Sequence, residues 1–183
     1  MSAYRAAWVL VGVLAGALHP GDAYANTRED ELKLAFTYNI ARFVVWPEHT
    51  TEDLSGAFHL CVLGDTPHRI ASDNLGKRRV ADLPIEVINL RRELPDGVHC
   101  DLAYLSADAD DVPAVAEALL ADSVLTVSDA PGFATAGGVI ELTRRNDRIA
   151  MRINVANLRR AGLSISSQLL SLATLVGDES GAD

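Results

Sequence analysis

The sequence predicts a single α/β domain: a mainly parallel sheet with helices on both faces and a late antiparallel hairpin. Three observations carry this. Short apolar runs that read as buried strands alternate with helical segments marked by caps and breakers, the pattern of βαβ units. The last third instead sets two strands around a polar turn, Arg144 to Asp147. In the second of them Ile149, Met151 and Ile153 alternate with Arg148, Ala150 and Arg152, as in a half-exposed antiparallel strand.

The elements follow in order. A first helix is expected over 28–46, with Leu32, Phe36, Ile40, Phe43 and Val44 at helical spacing. Asn26 and Glu29 have capping-box character at its start, and Pro47 stops it. Phe36, Ile40 and Phe43 are expected in the core, with Trp46 packed beside Pro47. Phe58 to Leu63 reads as a buried strand. Thr66 as N-cap and Pro67 as N1 open a helix ending near Gly76. Strands follow at 83–90, 101–105 and 123–127. A helix at 112–120 stands between the last two, with Asp108, Asp110 and Asp111 suiting its positive end. The hairpin occupies 138–143 and 148–154. Val155 to Arg160 is a short helix broken by Gly162, and Ser164 opens a final helix through about Val176.

Residues 1–25 read as a cleavable export signal. Arg5 supplies the positive start, Ala6 to Leu18 is apolar or glycine throughout, and Ala23-Tyr24-Ala25 is a small-x-small cleavage site. The apolar stretch is shorter than the roughly 20 residues a membrane span needs; an uncleaved anchor is the alternative. Cleavage after Ala25 leaves residues 26–183 as one exported domain, not itself transmembrane, with an ordered core of about 28–177. The net charge is −9, and the signal's Arg5 and Asp22 cancel, so the mature chain keeps it. An acidic chain without a basic cluster lacks the counterion-release term behind nucleic-acid binding, and no nucleic-acid partner is expected. Two cysteines, Cys61 and Cys100, enter an oxidising compartment. A disulfide is expected, with two buried thiols as the alternative.

No metalloprotease motif, phosphate loop, dinucleotide fingerprint or nucleophile elbow occurs. Catalytic residues and cofactors are therefore not expected. His59, Cys61, His99 and Cys100 are metal-ligand types, but a disulfide would remove both thiolates. His99 and Cys100 could act together only from a loop, so no metal site is expected. The carboxy ends of parallel strands are where open α/β sheets bind ligands. There Asp65, Thr66, Ser106, Ser128 and Asp129 could hold a small polar ligand, although turn and capping roles account for the same residues. On the final helix Ile165, Leu169, Leu172, Ala173 and Val176 form one stripe, flanked by Leu170 and Leu175. The apolar arc exceeds the ~100° that one core face needs. Such a helix is wedged between two layers or shared with a partner. In the second case Leu170 and Leu175 lie in an interface, and Arg159 and Arg160 could rim it.

Several segments resemble one family. Phe36-Thr37-Tyr38-Asn39-Ile40-Ala41-Arg42-Phe43-Val44-Val45-Trp46-Pro47 is similar to the opening helix of YfiR-like periplasmic proteins. Leu60-Cys61-Val62-Leu63-Gly64 matches a strand of that family, and Gly137-Gly138-Val139-Ile140 with Arg152-Ile153-Asn154 its later signature. Its ending resembles Ala161-Gly162-Leu163, Ile165-Ser166-Ser167-Gln168-Leu169-Leu170 and Leu172-Ala173. The likeness covers about residues 30–175. It implies a periplasmic repressor that binds the sensor region of a membrane diguanylate cyclase, or of a related inner-membrane receptor, and lowers cyclic-di-GMP output. It further implies a homodimer without catalytic residues and a Cys61–Cys100 disulfide. The second cysteine pair of some relatives has no counterpart in 137–147. The competing expectation is a periplasmic small-ligand binding protein using the strand-end crevice.

Overall fold

Six consecutive buried residues form strand β2, Phe58–Leu63. It lies inside an eight-stranded sheet in the computed structural model, which describes residues 20–46, 56–64, 74–91, 93–145 and 148–177. Ahead of β2 are helix α1, Pro20–Ala41, and the two-residue strand β1, Val44–Val45. After it come β3, Arg79–Val80, β4, Leu83–Leu90, and β5, Leu102–Leu105. Helix α2, Val112–Ala121, leads to β6, Leu125–Ser128, and a single 3₁₀ turn at Phe133–Thr135. The hairpin is β7, Ile140–Arg145, and β8, Arg148–Asn154. Helix α3, Val155–Arg160, strand β9, Ser164–Ile165, the four-residue α4, Ser167–Leu170, and β10, Thr174–Val176, complete the chain.

The sheet order is β10-β8-β7-β6-β5-β2-β4-β3. Strands β4, β2, β5, β6 and β7 run parallel; β8 is antiparallel to β7, and β3 to β4. This is the expected mainly parallel α/β domain with its late hairpin. Because side chains alternate along a strand, Leu60, Val62, Leu102 and Tyr104 join one buried cluster with Leu34, Ile40 and Ala41 of α1. Cys61, Leu63, Ala103 and Leu105 join a second with Val112, Ala116 and Leu119 of α2. In that second cluster Cys61 and Cys100 form the expected disulfide, with a Cα–Cα distance of 5.8 Å.

Four expectations need correction. The first helix begins at Pro20 and ends at Ala41. Proline suits a first helical turn, and Asn26 lies within the helix rather than at its start. At the other end the β-branched Val44 and Val45 pair with β9 instead of extending the helix. Its buried face is also different: Leu34, Thr37, Ile40, Ala41 and Val44 are buried, whereas Leu32, Phe36 and Phe43 are exposed, the last two by 37% and 38%. Only Ile40 and Val44 of the expected stripe are core; Trp46 packs edge-on against Phe58, 5.0 Å between centroids.

At the start of α2, Asp111 stands at the N-cap in a left-handed conformation and makes no side-chain capping bond. Finally, the helix expected over 164–176 does not form. Ile165 is taken by the ladder to Val44, Ser166 caps a helix that ends at Leu170, and Thr174–Val176 add to β8 as an edge strand. Thr174 and Val176 are β-branched and favour a pleated surface. Leu170 and Leu175 therefore share no helical face, and the wide apolar arc does not exist. The helix expected over 66–76 lies mostly outside the described residues; Asn74 and Leu75 are helical.

Two stability measurements test this packing. Ile40→Ala should cost about 2–5 kcal/mol by chemical denaturation, as for a fully buried aliphatic side chain, while Phe43→Ala should stay within about 1 kcal/mol. The opposite ranking would restore the originally expected face. Replacing both cysteines by serine should cost roughly 2–4 kcal/mol; an unchanged denaturation midpoint would show that the crosslink contributes nothing.

Candidate functional site

The strand-end crevice is closed by an ion chain. Lys33 Nζ on α1 lies 2.6 Å from Asp129 Oδ2 after β6 and 3.1 Å from Glu29 Oε1, and Glu29 Oε2 lies 2.8 Å from Arg144 at the end of β7. Asp129 Oδ1 accepts the Ala107 N–H beyond β5 at 2.9 Å. Burial alone would lower the Lys33 pKa, but the Asp129 and Glu29 carboxylates outweigh it and hold the ammonium above its ordinary value. The Lys33 hydrogen bond, helped by Arg144, holds Glu29 below 4.5 against a small burial effect. Ser128 Oγ accepts the Ala130 N–H. Ser106 and Asp108 crowd Gly64, where an added Cβ would come within 2.5 Å of the serine and 2.6 Å of the aspartate. Asp65 and Thr66 lie outside the described residues. The three described side chains expected to hold a ligand thus surround protein atoms, and a ligand would have to displace Lys33.

The later signature is a buried polar scaffold. Glu141, 2% exposed, accepts the N–H groups of Gly132 and Ala134 at 3.1 and 3.2 Å and faces Arg152 at 3.3 Å. Asn154 donates to the Ala134 carbonyl and caps α3 by accepting the Asn157 N–H. Asn157 in turn donates to the Gly138 carbonyl. Gly138 has to be glycine because Phe133 fills the place of a Cβ, its ring 2.0 Å away. Together these residues tie the 3₁₀ turn to β7, β8 and α3.

The ending motif meets the opening one. Val44 and Val45 pair with Ile165 and Ser164, and the Ser166 N–H donates to the Phe43 carbonyl at 3.0 Å. Beside this clamp α1 and the turn after it present an apolar edge outward: Leu32 and Phe36 on the helix, then Phe43 and Val45. Next to that edge is a groove of about 330 Å³ lined by Glu31, Ala35, Tyr38, Asn39, Arg42, Asn74, Leu75 and Arg78. The Arg42 and Arg78 guanidinium carbons stand 6.0 and 5.9 Å from the Tyr38 ring centre, within cation–π range. Sequence reasoning missed this face because it placed Phe36 and Phe43 inward. Its available signal was the second stripe at 34, 37, 41 and 44, which competes for the sheet.

The residues expected at an interface are scattered. Leu170 is half-buried against the core, Leu175 is exposed on the β10 edge with Leu172 before it, and Arg159 is exposed at the end of α3. Arg160 is engaged by Glu117 of α2, which raises the arginine pKa and lowers that of the glutamate.

The metal-ligand set regroups. The disulfide removes Cys61 and Cys100, and His59 and His99 instead gather with Asp101. The parallel register Leu60↔Leu102 places His59 opposite Asp101, and the His59 N–H donates to Asp101 Oδ2 at 2.7 Å. Burial pushes the Asp101 carboxyl above its ordinary pKa, while that N–H and the two histidines pull it down.

Cutting the ion chain at Lys33→Met should cost about 1–3 kcal/mol at neutral pH, because it strips a charged hydrogen-bond partner from a largely buried carboxylate. Glu29 titrates lower in the folded chain, so its share is present above pH 4.5 and is lost as pH falls through its depressed value. Denaturation of wild type and variant at pH 7 and pH 3.5 should show the gap narrowing in acid. A gap that is absent at pH 7, or that widens in acid, contradicts this assignment.

Among the described residues no helix is long and apolar enough to cross a membrane. No curated protein matches the sequence. A family model described as YfiR/HmsC-like matches residues 30–174, which include the α1 face, the disulfide, the polar scaffold and the clamp between β1 and β9. The chain belongs to the YfiR/HmsC-like family.

Proposed function

We propose that this protein is a periplasmic regulator, without catalysis of its own, that binds the periplasmic sensor region of a membrane diguanylate cyclase or related receptor and lowers cyclic-di-GMP output. Family membership supports the regulatory role. The observation that supports a protein partner is the outward face of α1 and the turn after it, where Leu32, Phe36 and Phe43 stand exposed beside the Tyr38–Arg42–Arg78 groove. Burying a large apolar side chain is worth about 1.5–3 kcal/mol relative to leaving it in water. Aromatic and arginine side chains are the residue types that dominate binding at protein interfaces. The helix itself is held to the sheet by its opposite face and by Lys33, so it presents these side chains rigidly.

Self-association is part of the same reading. The β10 edge exposes Leu172 and Leu175, and an edge strand offers backbone groups to a second copy. Export belongs to it as well: cleavage after Ala25 would remove the first six residues of α1 and leave Asn26 as the new terminus.

The decisive experiment is repression in cells. Deleting the gene should raise cyclic-di-GMP, and restoring the wild-type gene should lower it again. A Phe36→Glu/Phe43→Glu protein should fold normally by circular dichroism, reach the periplasm and fail to repress. Full repression by that folded variant would remove α1 from the partner surface; unchanged cyclic-di-GMP on deletion would remove the cyclase. For the dimer, Leu175→Glu should shift sedimentation toward the monomer, and no shift would exclude the β10 edge.

A further inference from the structure

We propose that His59, His99 and Asp101 form a binding site for a divalent transition-metal ion of the zinc class, beside the Cys61–Cys100 disulfide. This departs from the expectation drawn from sequence, which paired the histidines with the cysteines and could not place Asp101. One donor atom from each of the three residues lies within 4.8 Å of the other two. His59 Nδ1 is 3.6 Å from Asp101 Oδ2, and His99 Nε2 is 3.5 Å from Asp101 Oδ1. Tetrahedral zinc with bonds of about 2.0–2.2 Å separates its ligand atoms by roughly 3.3–3.5 Å. Each contact is close to that span, and the two use different oxygens of the one carboxylate; with a single oxygen as ligand, the three donor atoms lie within 4.8 Å of one another and need a modest closure. His99 can supply it, since its side chain is 48% exposed.

The second observation is Asp101 itself. Its side chain is 2% exposed, and its Oδ1 is buried without a hydrogen bond. Leaving a buried carboxylate oxygen unsatisfied is costly, and an acceptor-only atom facing an imidazole nitrogen is a ligand position. The other oxygen is fixed by the His59 N–H at 2.7 Å, which orients Oδ1 toward His99. Glu86 stands on the other side of the His59 ring from Asp101, its Oε2 3.9 Å from His59 Nε2 and beyond hydrogen-bond distance. A carboxylate on the other ring nitrogen is the usual partner of a metal-bound histidine; it fixes the tautomer and raises ligand basicity. Two imidazoles and one carboxylate leave a fourth position for water, and this donor set suits zinc and its neighbours over magnesium or calcium. The two sulfurs take no part, so the site needs no reduction of the disulfide.

The test is metal binding by the untagged, oxidised protein. Calorimetric titration with zinc chloride should saturate at one ion per chain, and the melting temperature should rise with zinc concentration. Cobalt chloride should give the intense visible bands of a four-coordinate site. His99→Ala, whose side chain is too exposed for the fold to depend on it, should weaken zinc binding at least tenfold while circular dichroism and the disulfide stay unchanged. A variant with His49 and His68 both replaced by alanine should bind as tightly as wild type. Absence of stoichiometric binding overturns the proposal. So does binding that His99→Ala leaves intact, or binding lost with the other two histidines.

Discussion

The constraint on which the structure depends is the two-sided burial of β2. All six of its residues are buried, and it pairs on both edges with parallel neighbours. A parallel strand of this kind needs apolar cover above and below. The residues pointing one way meet α1, and those pointing the other way meet α2 and the disulfide. Each cover is then secured by polar contacts at its margin. Lys33 and Glu29 pin α1 to the carboxy ends of β6 and β7 respectively, and Asn154 and Asn157 pin the turn before β7.

The way α1 is seated decides which surface is available. Its sheet-facing residues include Thr37 and Ala41, fully buried and small. Small side chains let a helix approach a sheet closely. The bulkier Leu32, Phe36 and Phe43 remain outside, and the clamp between β1 and β9 holds their end of the helix against the chain terminus. The two sides of one element thus differ in kind: one is committed to packing, and the other presents apolar side chains to the surroundings.

Most strands were legible because an apolar run bounded by turn residues has few readings. β2, β4 and β8 begin and end where the sequence places them. α1 was legible as a helix but not in its rotation. Two stripes share Ile40 and Val44, and hydrophobicity prefers the one with two phenylalanines. Thr37 carries no apolar signal because its hydroxyl is satisfied locally, on the Lys33 carbonyl. The end of the chain was misread because Leu169 to Val176 has helical spacing, while its conformation is set by a distant partner, the free edge of β8. Asp129 is a similar case: it reads as a ligand-holding acid until a lysine 96 residues earlier is found beside it. Asp101 could have been placed beside His59 only once the register between β2 and β5 was known.

The pairing of Val44 with Ile165 joins positions near the two ends of the matched segment. Contacts at such sequence separation carry a large loop-closure entropy and form late. A chain that emerges amino end first, as in synthesis, cannot seal α1 in place until Ile165 has followed. Until then the two apolar faces of α1 are exposed together. The folding chain therefore passes through a stage in which both sides of this helix are open to other molecules, and only the arrival of β9 commits one face to the interior.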